Sequence, residues 1–315
     1  MVGRAGCVLV TVPLAVAAGC RLLGLDDRIG WPFPAINAFT PLVYLPAYPV
    51  LVVGLARRAP RLTVIAVAVA MLHLYWTVPE FLREGPQLAP AGAWHARVLT
   101  ANVAGDNREV ARLGSQIAAE RPDILLLEEY TPLIRSLLAA LPELRGYRYA
   151  VTRASAEPYG FAVYSRYALA PLPDLVSAGF PFGRLLVSVA PGHRFELVVV
   201  HTRSPVGARW TRMWAEQLGA LRNVSRSARF PLVMAGDFNA NRDHRPFRRL
   251  LDTGLRDAHD VSGAGWSPTW SATAWWKLTT RLDHILVSPG IAVTGYHRGG
   301  EFGSDHLPVV VDLGT

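Results

Sequence analysis

The chain has 315 residues, of which 51% are hydrophobic and 18% are charged, and its formal net charge is +8. Soluble proteins average about 25% charged residues, so this composition excludes a disordered chain and disfavours a wholly soluble one. Both cysteines, Cys7 and Cys20, lie near the amino terminus, which excludes a disulfide framework or a thiolate metal site from the rest of the chain.

The excess of apolar residues is concentrated in residues 1–79. Three runs there approach the roughly 17–25 residues that a membrane span needs; they cover residues 7–25, 36–56 and 62–78. The second run contains three prolines, so we expect it to be kinked. We therefore predict a membrane segment over residues 1–79 with three transmembrane helices.

The charges in this segment predict its orientation. Arg57, Arg58 and Arg61 lie in the loop between the second and third runs, and such arginine-rich loops are typically cytoplasmic. This places the amino terminus inside and everything after residue 79 outside the cytoplasmic membrane. Alternatively, residues 1–20 are a cleaved signal, with Cys20 at a lipoprotein-like cleavage box. In either case a tether over residues 80–95 leads to an extracellular domain.

From residue 96 onward, short apolar runs alternate with amphipathic stretches. This alternation predicts an α/β domain with buried sheets. The expected helices cover residues 109–120, 132–141 and 209–222, and the expected strands cover residues 97–103, 123–129, 147–151, 161–164, 185–189, 196–201, 231–235, 284–288, 291–296 and 309–312.

Polar residues follow almost every one of these strands. They are Asn102, Glu129, His201, Asp237 with Asn239, Asp283 with His284, and Asp305 with His306. The carboxyl ends of strands are where α/β sheets bind ligands. Oxygen ligands without cysteine suit Mg²⁺ or Mn²⁺, and metal-assisted attack on a phosphoester is the chemistry that such a site favours.

Five motifs in order resemble the endonuclease/exonuclease/phosphatase superfamily. They are Thr-Ala-Asn-Val at 100–103, Pro-Asp-Ile-Leu-Leu-Leu-Glu-Glu at 122–129, Gly-Asp-Phe-Asn at 236–239, Arg-Leu-Asp-His-Ile-Leu-Val-Ser at 281–288 and Ser-Asp-His-Leu-Pro at 304–308. The resemblance implies that residues 96–315 form a catalytic domain, a four-layered α/β sandwich of two β-sheets flanked by helices.

The resemblance also implies a role for each matching residue. Glu129 is the primary metal ligand, and Asn102 and Asp305 complete or support the metal shell. Asp237 positions or deprotonates the attacking water, and Asn239 holds the phosphate and that water. The remaining roles belong to His306 as acid, base or charge stabiliser, Asp283 as the residue that orients its ring, and His201 as general acid.

The sequence departs from the family pattern at a few positions. Glu128 stands where the family usually has Gln, and we interpret it as a hydrogen-bonding partner behind the metal ligands. Tyr159 lies in a segment that resembles a family strand and is a candidate phosphate contact. Asp106 is a weaker candidate for a further metal carboxylate.

Three observations bear on the substrate. The domain is tethered close to the outer leaflet, Trp275 and Trp276 precede Lys277 beside the catalytic motif, and no basic tract typical of a nucleic-acid groove is present. A Trp-Trp-Lys loop can grip an apolar tail or enter a membrane, although the same residues are compatible with a buried loop.

The whole layout resembles actinomycete membrane proteins associated with teicoplanin-type glycopeptide resistance. That resemblance implies a metal-dependent phosphoesterase acting on a lipid-linked phosphate or pyrophosphate, with undecaprenyl pyrophosphate as the specific expectation. The alternatives are an external nuclease, a phosphodiesterase like phospholipase C or sphingomyelinase, and an inactive protein that only binds phospholipid headgroups. No protein partner is predicted.

Overall fold

Alternating residues on the central strands face two different layers of the protein. The structure is a computed structural model that describes residues 4–82, 94–272 and 278–314. On one strand, Ile124 and Leu126 point into a core shared by two sheets, whereas Leu125 and Leu127 point into a core shared with helices. This period of two is the expected consequence of the β pleat, and here both faces of the strand are apolar because both are covered.

The strands form two six-stranded sheets and two short hairpins. In chain order they are β1 (His95–Asn102), β2 (Ile124–Glu128), β3 (Tyr149–Arg153), β4 (Phe161–Ser165), β5 (Ala168–Pro171), β6 (Leu175–Ser177), β7 (Phe180–Phe182), β8 (Arg184–Ala190), β9 (His193–His201), β10 (Leu232–Asp237), β11 (Arg256–Asp257), β12 (Trp270–Ser271), β13 (Thr279–Thr280), β14 (Asp283–Val287), β15 (Ala292–Arg298) and β16 (Val309–Gly314). The sheet orders are β15-β16-β1-β2-β4-β3 and β11-β14-β10-β9-β8-β5.

The helices complete the layers and account for most of the remaining described residues. They are α1 (Arg4–Leu22), α2 (Asp26–Ile29), α3 (Phe33–Ala38), α4 (Thr40–Val43), α5 (Ala47–Ala56), α6 (Pro60–Thr77), α7 (Val110–Glu120), α8 (Pro132–Leu138), α9 (Ala208–Ser227), α10 (Arg245–Leu251) and α11 (Ala258–Ser262). Helices α7 and α8 pack on the outer face of the first sheet, and α9 and α10 pack on the outer face of the second. The domain is therefore an α/β sandwich of two mixed sheets flanked by helices, as predicted.

Each sheet contains one parallel strand pair joined by a helix. Strands β1 and β2 are connected through α7, and β9 and β10 are connected through α9. Parallel pairing requires such a crossover, and it brings the carboxyl ends of both strands to the same sheet edge. The active-site candidates lie at these two pairs of strand ends.

The apolar amino-terminal segment differs in detail from the three predicted spans. Within the described residues, one helix, Pro60–Phe81, is long and apolar enough to cross a membrane, and the apolar helices Gly6–Leu22 and Thr40–Ala56 are shorter. The second predicted span is divided among α3, α4 and α5, and the apolar stretch Thr40–Ala56 consists of α4 and α5 with a turn between them. Pro41 lies in the first turn of α4 and Pro46 precedes α5, positions that proline favours at a helix start. Three transmembrane helices therefore stay a prediction.

The same segment exposes most of the large apolar side chains on the surface of the described protein. Twenty-one of the 25 exposed large hydrophobic residues lie between Val8 and Leu82, and four lie in the rest of the described chain. Contiguous apolar surface on this scale is typical of a face that contacts lipid or another protein. At about 1.5 Å per residue, α1 and α6 are each about 28 Å long, close to the roughly 30 Å hydrocarbon core of a bilayer.

Candidate active site

Two strand pairs bring polar side chains to one end of the sandwich. Asn102 and Glu128 pair in register at the carboxyl ends of β1 and β2. His201 and Asp237 pair in the same way at the ends of β9 and β10, and Asp237 also pairs with Asp283 on β14. In both sheets, the candidate functional residues thus lie at the carboxyl ends of the parallel strand pair.

Asn102 connects the two sheets at this edge. Its Nδ2 donates to Glu129 Oε1 at 3.1 Å and to Asp237 Oδ2 at 3.2 Å. The other Glu129 oxygen, Oε2, accepts from the backbone N–H of Gly105 at 3.0 Å. The backbone of Glu129 is in the left-handed region, with a φ of +56°. One amide therefore holds two carboxylates that would otherwise repel each other.

Asp237 is buried and fixed from several sides. Its Oδ1 accepts from the backbone N–H of Asn239 at 2.7 Å, and its Oδ2 accepts from Asn239 Nδ2 at 3.1 Å. Asn239 Nδ2 also donates to the carbonyl of Thr202 at 2.9 Å. Burial raises the pKa of Asp237 to about 6, although the nearby His306 counteracts this effect. A carboxylate with this pKa is still mainly ionised at neutral pH but accepts a proton more readily than an exposed aspartate.

His306 forms a chain of hydrogen bonds with Asp283 and Thr269. The imidazole Nδ1 lies 2.8 Å from Asp283 Oδ2, which also accepts from Thr269 Oγ1 at 2.6 Å. Burial alone would lower the pKa of His306, but the carboxylates of Asp283 and Asp237 outweigh it and raise the pKa to about 10. The ring is therefore an imidazolium at neutral pH, with Nδ1–H donating to Asp283.

His201 lies among these groups. Its Nε2 is 3.8 Å from Glu129 Oε1 and 3.8 Å from Asp237 Oδ2, and its buried Nδ1 has no hydrogen-bond partner among the described residues. The structure thus brings together six of the predicted residues, which are Asn102, Glu129, His201, Asp237, Asn239 and His306, with Asp283 directly behind.

Other candidates lie outside this cluster. Asp305 is exposed at the rim, where its Oδ2 accepts from Trp270 Nε1 at 2.9 Å. His284 is fully buried, with Nδ1 2.7 Å from Asp257 Oδ2 and Nε2 2.8 Å from the Ala240 carbonyl, so it serves the core. Asp106 is exposed and does not line the pocket above the cluster.

The donor set fits a hard divalent cation. Both oxygens of Glu129 and Oδ1 of Asp237 each accept one hydrogen bond from the described protein, so each keeps a lone pair for a cation. Asp237, Asp283 and His306 also offer ligand atoms that all lie within 4.8 Å of one another. Oxygen-rich sites of this kind suit Mg²⁺ or Mn²⁺ better than softer metals.

A pocket of about 560 Å³ opens above the cluster. Glu129, Asp237 and His306 belong to its polar part, and the predicted Tyr159 also lines it. The Tyr159 hydroxyl accepts from Arg203 Nη1 at 3.2 Å. The predicted Trp275 and Trp276 lie outside the described residues, so their contact with substrate stays a prediction.

Sequence patterns did not identify several pocket residues. Arg203 lines the pocket with its guanidinium 4.1 Å from the ring centroid of Trp210. Phe39, from the amino-terminal segment, lines the same pocket and lies 6.4 Å from the ring of Trp270. The adjacent His-Thr-Arg order could have indicated Arg203, whereas no local signal connects Phe39 with a site some 200 residues away in sequence.

Glu128 lies behind the cluster rather than in the pocket. Its side chain is fully buried, Thr100 Oγ1 donates to Oε1 at 2.7 Å, and Oε2 has no partner among the described residues. Burial raises the pKa of Glu128 well above its usual range, and the nearby Asp283 and Asp237 raise it further, against the Thr100 hydrogen bond. Folding therefore favours the neutral acid form of Glu128, which resembles the amide usual at this position.

Comparison with known protein families identifies one match. The model of the Endonuclease/Exonuclease/phosphatase family matches residues 99–306. No curated protein matches the chain.

Solved structures with the same fold come from diverse organisms. Truncated Caenorhabditis elegans TDP2 is 18% identical, with a TM-score of 0.56 over 70% of this chain and 98% of that one. The 3′ phosphatase NExo from Neisseria, bound to product DNA hairpin, is 24% identical, with a TM-score of 0.53 over 69% and 98%. An AP endonuclease from Archaeoglobus fulgidus is 16% identical, with a TM-score of 0.55 over 69% and 98%. At these identities the likeness is one of fold.

Replacing the buried acid Glu128 by its amide should change the stability of the protein by an amount that depends on pH. A carboxyl whose pKa is raised by folding contributes stability that is complete below its unfolded pKa and is lost as the pH rises through its folded pKa. Glu128→Gln should therefore raise the melting temperature more at pH 8 than at pH 5. A gain of about 1 kcal/mol corresponds to roughly 2–4 °C for a domain of this size.

Thermal unfolding followed by tryptophan fluorescence in detergent, with EDTA present, measures this effect. The exposed Glu301 provides a matched control, since Glu301→Gln should leave the difference between the two pH values unchanged. A Glu128→Gln protein that is less stable than wild type at pH 8 would show that Glu128 is ionised in the fold.

Proposed function

Because the chain belongs to the endonuclease/exonuclease/phosphatase family, whose members are metal-dependent phosphoester hydrolases, we propose that it is a membrane-anchored phosphoesterase whose substrate is a lipid-linked phosphate or pyrophosphate. Undecaprenyl pyrophosphate is the specific substrate that we propose, in cell-wall metabolism or glycopeptide resistance. The catalytic domain acts outside the cytoplasmic membrane, and the protein is multi-pass.

One observation carries the choice of a lipid substrate. The pocket that contains Asp237 and His306 is also lined by Ala35 and Phe39 from the apolar amino-terminal segment. The helices on either side of these residues expose aliphatic side chains. A phosphate at the cluster therefore lies next to an apolar surface, which suits a substrate with a charged headgroup and a hydrocarbon chain.

The two ends of α1 support the proposed orientation. Near its start, Val8 lies beside Arg58 and Arg61 of the arginine-rich loop. Near its end, Arg21 Nη2 donates to Asp243 Oδ1 at 2.5 Å in the catalytic domain. The catalytic domain and the basic loop thus lie at opposite ends of one apolar helix, and a cytoplasmic basic loop leaves the catalytic domain outside.

In the proposed site, Glu129 and Asn102 would hold a divalent cation, Mg²⁺ or Mn²⁺, beside the Asp237 carboxylate. Asn102 Oδ1 and the carboxylate oxygens are the available donors, and Asp305 at the rim is a further candidate. The cation would neutralise the phosphate and stabilise the negative charge that develops on it. His306 Nδ1 faces Asp283 rather than the pocket, which favours the Glu129 side for the cation.

The protein's own groups account for positioning and proton transfer. Asp237, held by Asn239 and Asn102, accepts the proton of the attacking water. Asn239 has both amide hydrogens committed to Asp237 and Thr202, so it orients Asp237 and offers only Oδ1 to the water. His306 keeps its positive charge and binds the phosphoryl oxygens through Nε2–H, and His201 protonates the leaving group.

An external nuclease is the second candidate. The neighbouring 3′ phosphatase NExo is bound to product DNA hairpin in its structure. Arg203 stacked on Trp210 is a surface on which a base could also stack. The apolar wall from the amino-terminal segment favours the lipid substrate over the nucleic acid, and a phospholipase C-like diesterase would use the same wall.

Loss of the proposed base predicts a large effect on turnover. Asp237→Asn should lower kcat for phosphate release from undecaprenyl pyrophosphate by roughly 10²–10⁴-fold, the usual contribution of a general base. Detergent-purified full-length protein with Mg²⁺ is assayed beside plasmid DNA. The exposed Asp252 provides the control, and Asp252→Asn should keep the wild-type rate. Asp237-dependent nicking of DNA without phosphate release would replace the lipid proposal with the nuclease.

The proposed ligand predicts a selective change in metal affinity. Glu129→Gln should weaken Mg²⁺ binding by about 10-fold or more, because it removes the ligand charge. Calorimetric titration of the apo protein measures the affinity, with Glu301→Gln as the control. Mg²⁺ affinity unaffected by Glu129→Gln, together with loss of binding in Asp283→Asn, would place the ion on the histidine side instead.

The proposed topology predicts the accessibility of two surface positions. In a background with Cys7→Ala and Cys20→Ala, an impermeant maleimide added to intact cells should label Val176→Cys in the catalytic domain. Arg58→Cys should react only after permeabilisation. Labelling of both positions, or of Arg58→Cys alone, in intact cells would overturn the proposed orientation.

A further inference from the structure

A segment that ends within the second apolar run covers the candidate active site. We call residues 30–44 the roof segment; it contains α3 and α4 and follows α1 and α2. Pro34, Ala35, Ala38 and Phe39 line the catalytic pocket from this segment. The sequence alone predicts only a membrane segment for these residues.

The roof segment is held by hydrogen bonds from the catalytic domain. The carbonyl of Ala38 accepts from Asn241 Nδ2 at 3.0 Å and from Thr280 Oγ1 at 2.7 Å. The carbonyl of Pro34 lies 2.8 Å from His244 Nε2. Ala38 is the last residue of α3, where helix carbonyls lack intrahelical donors, so these side chains meet a requirement of the local structure.

A buried ion pair fixes the same segment from the side of α1. Arg21 Nη2 donates to Asp243 Oδ1 at 2.5 Å, and Arg21 Nη1 donates to Thr40 Oγ1 at 2.6 Å. The Arg21 and Asp243 side chains are 4% and 3% exposed. The pair thus connects α1 and Thr40 of the roof segment to the catalytic domain, and removing one partner by mutation would leave an uncompensated buried charge.

These anchors lie close in sequence to the catalytic groups. Asn241, Asp243 and His244 follow Asp237, the last residue of β10, by a few residues. Thr280 precedes Asp283, the first residue of β14, by three positions. The roof segment is therefore anchored by the residues directly after the proposed base and directly before the partner of the imidazolium.

The roof segment presents apolar side chains where the polar cluster ends. Phe39 contacts the Trp270 ring, and Trp270 Nε1 donates to Asp305 Oδ2. Trp210 and Val206 line the same pocket from the catalytic domain. The pocket thus has a charged floor and an apolar wall, and the same amino-terminal segment exposes Ile29, Trp31 and Leu45 to the surface.

From this arrangement we infer that the roof segment is the binding surface for the first part of the substrate's hydrocarbon chain, and that Phe39 is its main specificity-determining residue. This inference rests on the proposed function and adds the location of the chain. The phosphate binds at Asp237 and His306, and the chain leaves the pocket along Phe39 toward the apolar surface of the amino-terminal helices.

Two substrates with the same headgroup separate chain recognition from headgroup recognition. Undecaprenyl pyrophosphate and dimethylallyl pyrophosphate carry a long and a short chain on the same pyrophosphate. Detergent-purified full-length protein is assayed with both for kcat/KM, in the wild type, Phe39→Ala and Phe39→Leu. The exposed Phe230, which does not line the pocket, provides the matched control Phe230→Ala.

The wild type should prefer the long chain, and Phe39→Ala should reduce the long-to-short ratio of kcat/KM by about tenfold, which is typical of a lost apolar contact in a pocket. The loss should appear mainly as a higher KM for the long chain. Phe39→Leu, which keeps an apolar contact and guards against misfolding, should retain most of the ratio, and Phe230→Ala should retain all of it.

Results that contradict the role of the roof segment can be distinguished from results that contradict the proposed function. An unchanged ratio in Phe39→Ala, or an equal loss for both substrates, overturns the role of the roof segment and leaves the proposed function standing. A wild-type protein that hydrolyses neither pyrophosphate but nicks plasmid DNA overturns the proposed function and this inference with it.

Discussion

The active site depends on keeping three carboxylates together at one buried edge. Glu129, Asp237 and Asp283 repel one another in a low-dielectric environment, so each needs a compensating partner. Asn102 provides hydrogen bonds to the first two, and the imidazolium of His306 compensates the last two. The same hydrogen bonds and charges that stabilise the three carboxylates therefore also form a site that can bind a cation and a phosphate.

Much of the domain could be predicted because its signals are local. Apolar runs followed by polar residues located Asn102, Glu129, His201 and Asp237, and parallel crossovers brought them together. Gly236 illustrates a local constraint in the Gly-Asp-Phe-Asn motif, since its φ is +136° and a Cβ there would lie 1.9 Å from the carbonyl oxygen of Val200. Only glycine fits such a close backbone approach.

The less predictable features depend on contacts between distant parts of the chain. Phe39, within an apolar run, has the sequence appearance of a membrane anchor, and only tertiary packing brings it beside Trp270 and the catalytic pocket. The second predicted span is divided into short helices, and Asn241 and Thr280 donate to the carbonyl of Ala38, where α3 ends. The hydrogen bonds of Asn239 are equally non-local, since its amide donates to the carbonyl of Thr202 as well as to Asp237.

We propose that a lipid-linked phosphate binds with its headgroup at the acidic cluster and its chain along the roof segment. Photo-crosslinking locates the chain. A polyprenyl pyrophosphate with a diazirine near the headgroup is bound to the full-length Asp237→Asn protein, and labelled peptides are mapped by mass spectrometry. We expect labelling within residues 30–44 that undecaprenyl pyrophosphate suppresses and an oligonucleotide does not. Labelling elsewhere, or suppression by the oligonucleotide alone, would show that the chain does not bind along the roof segment.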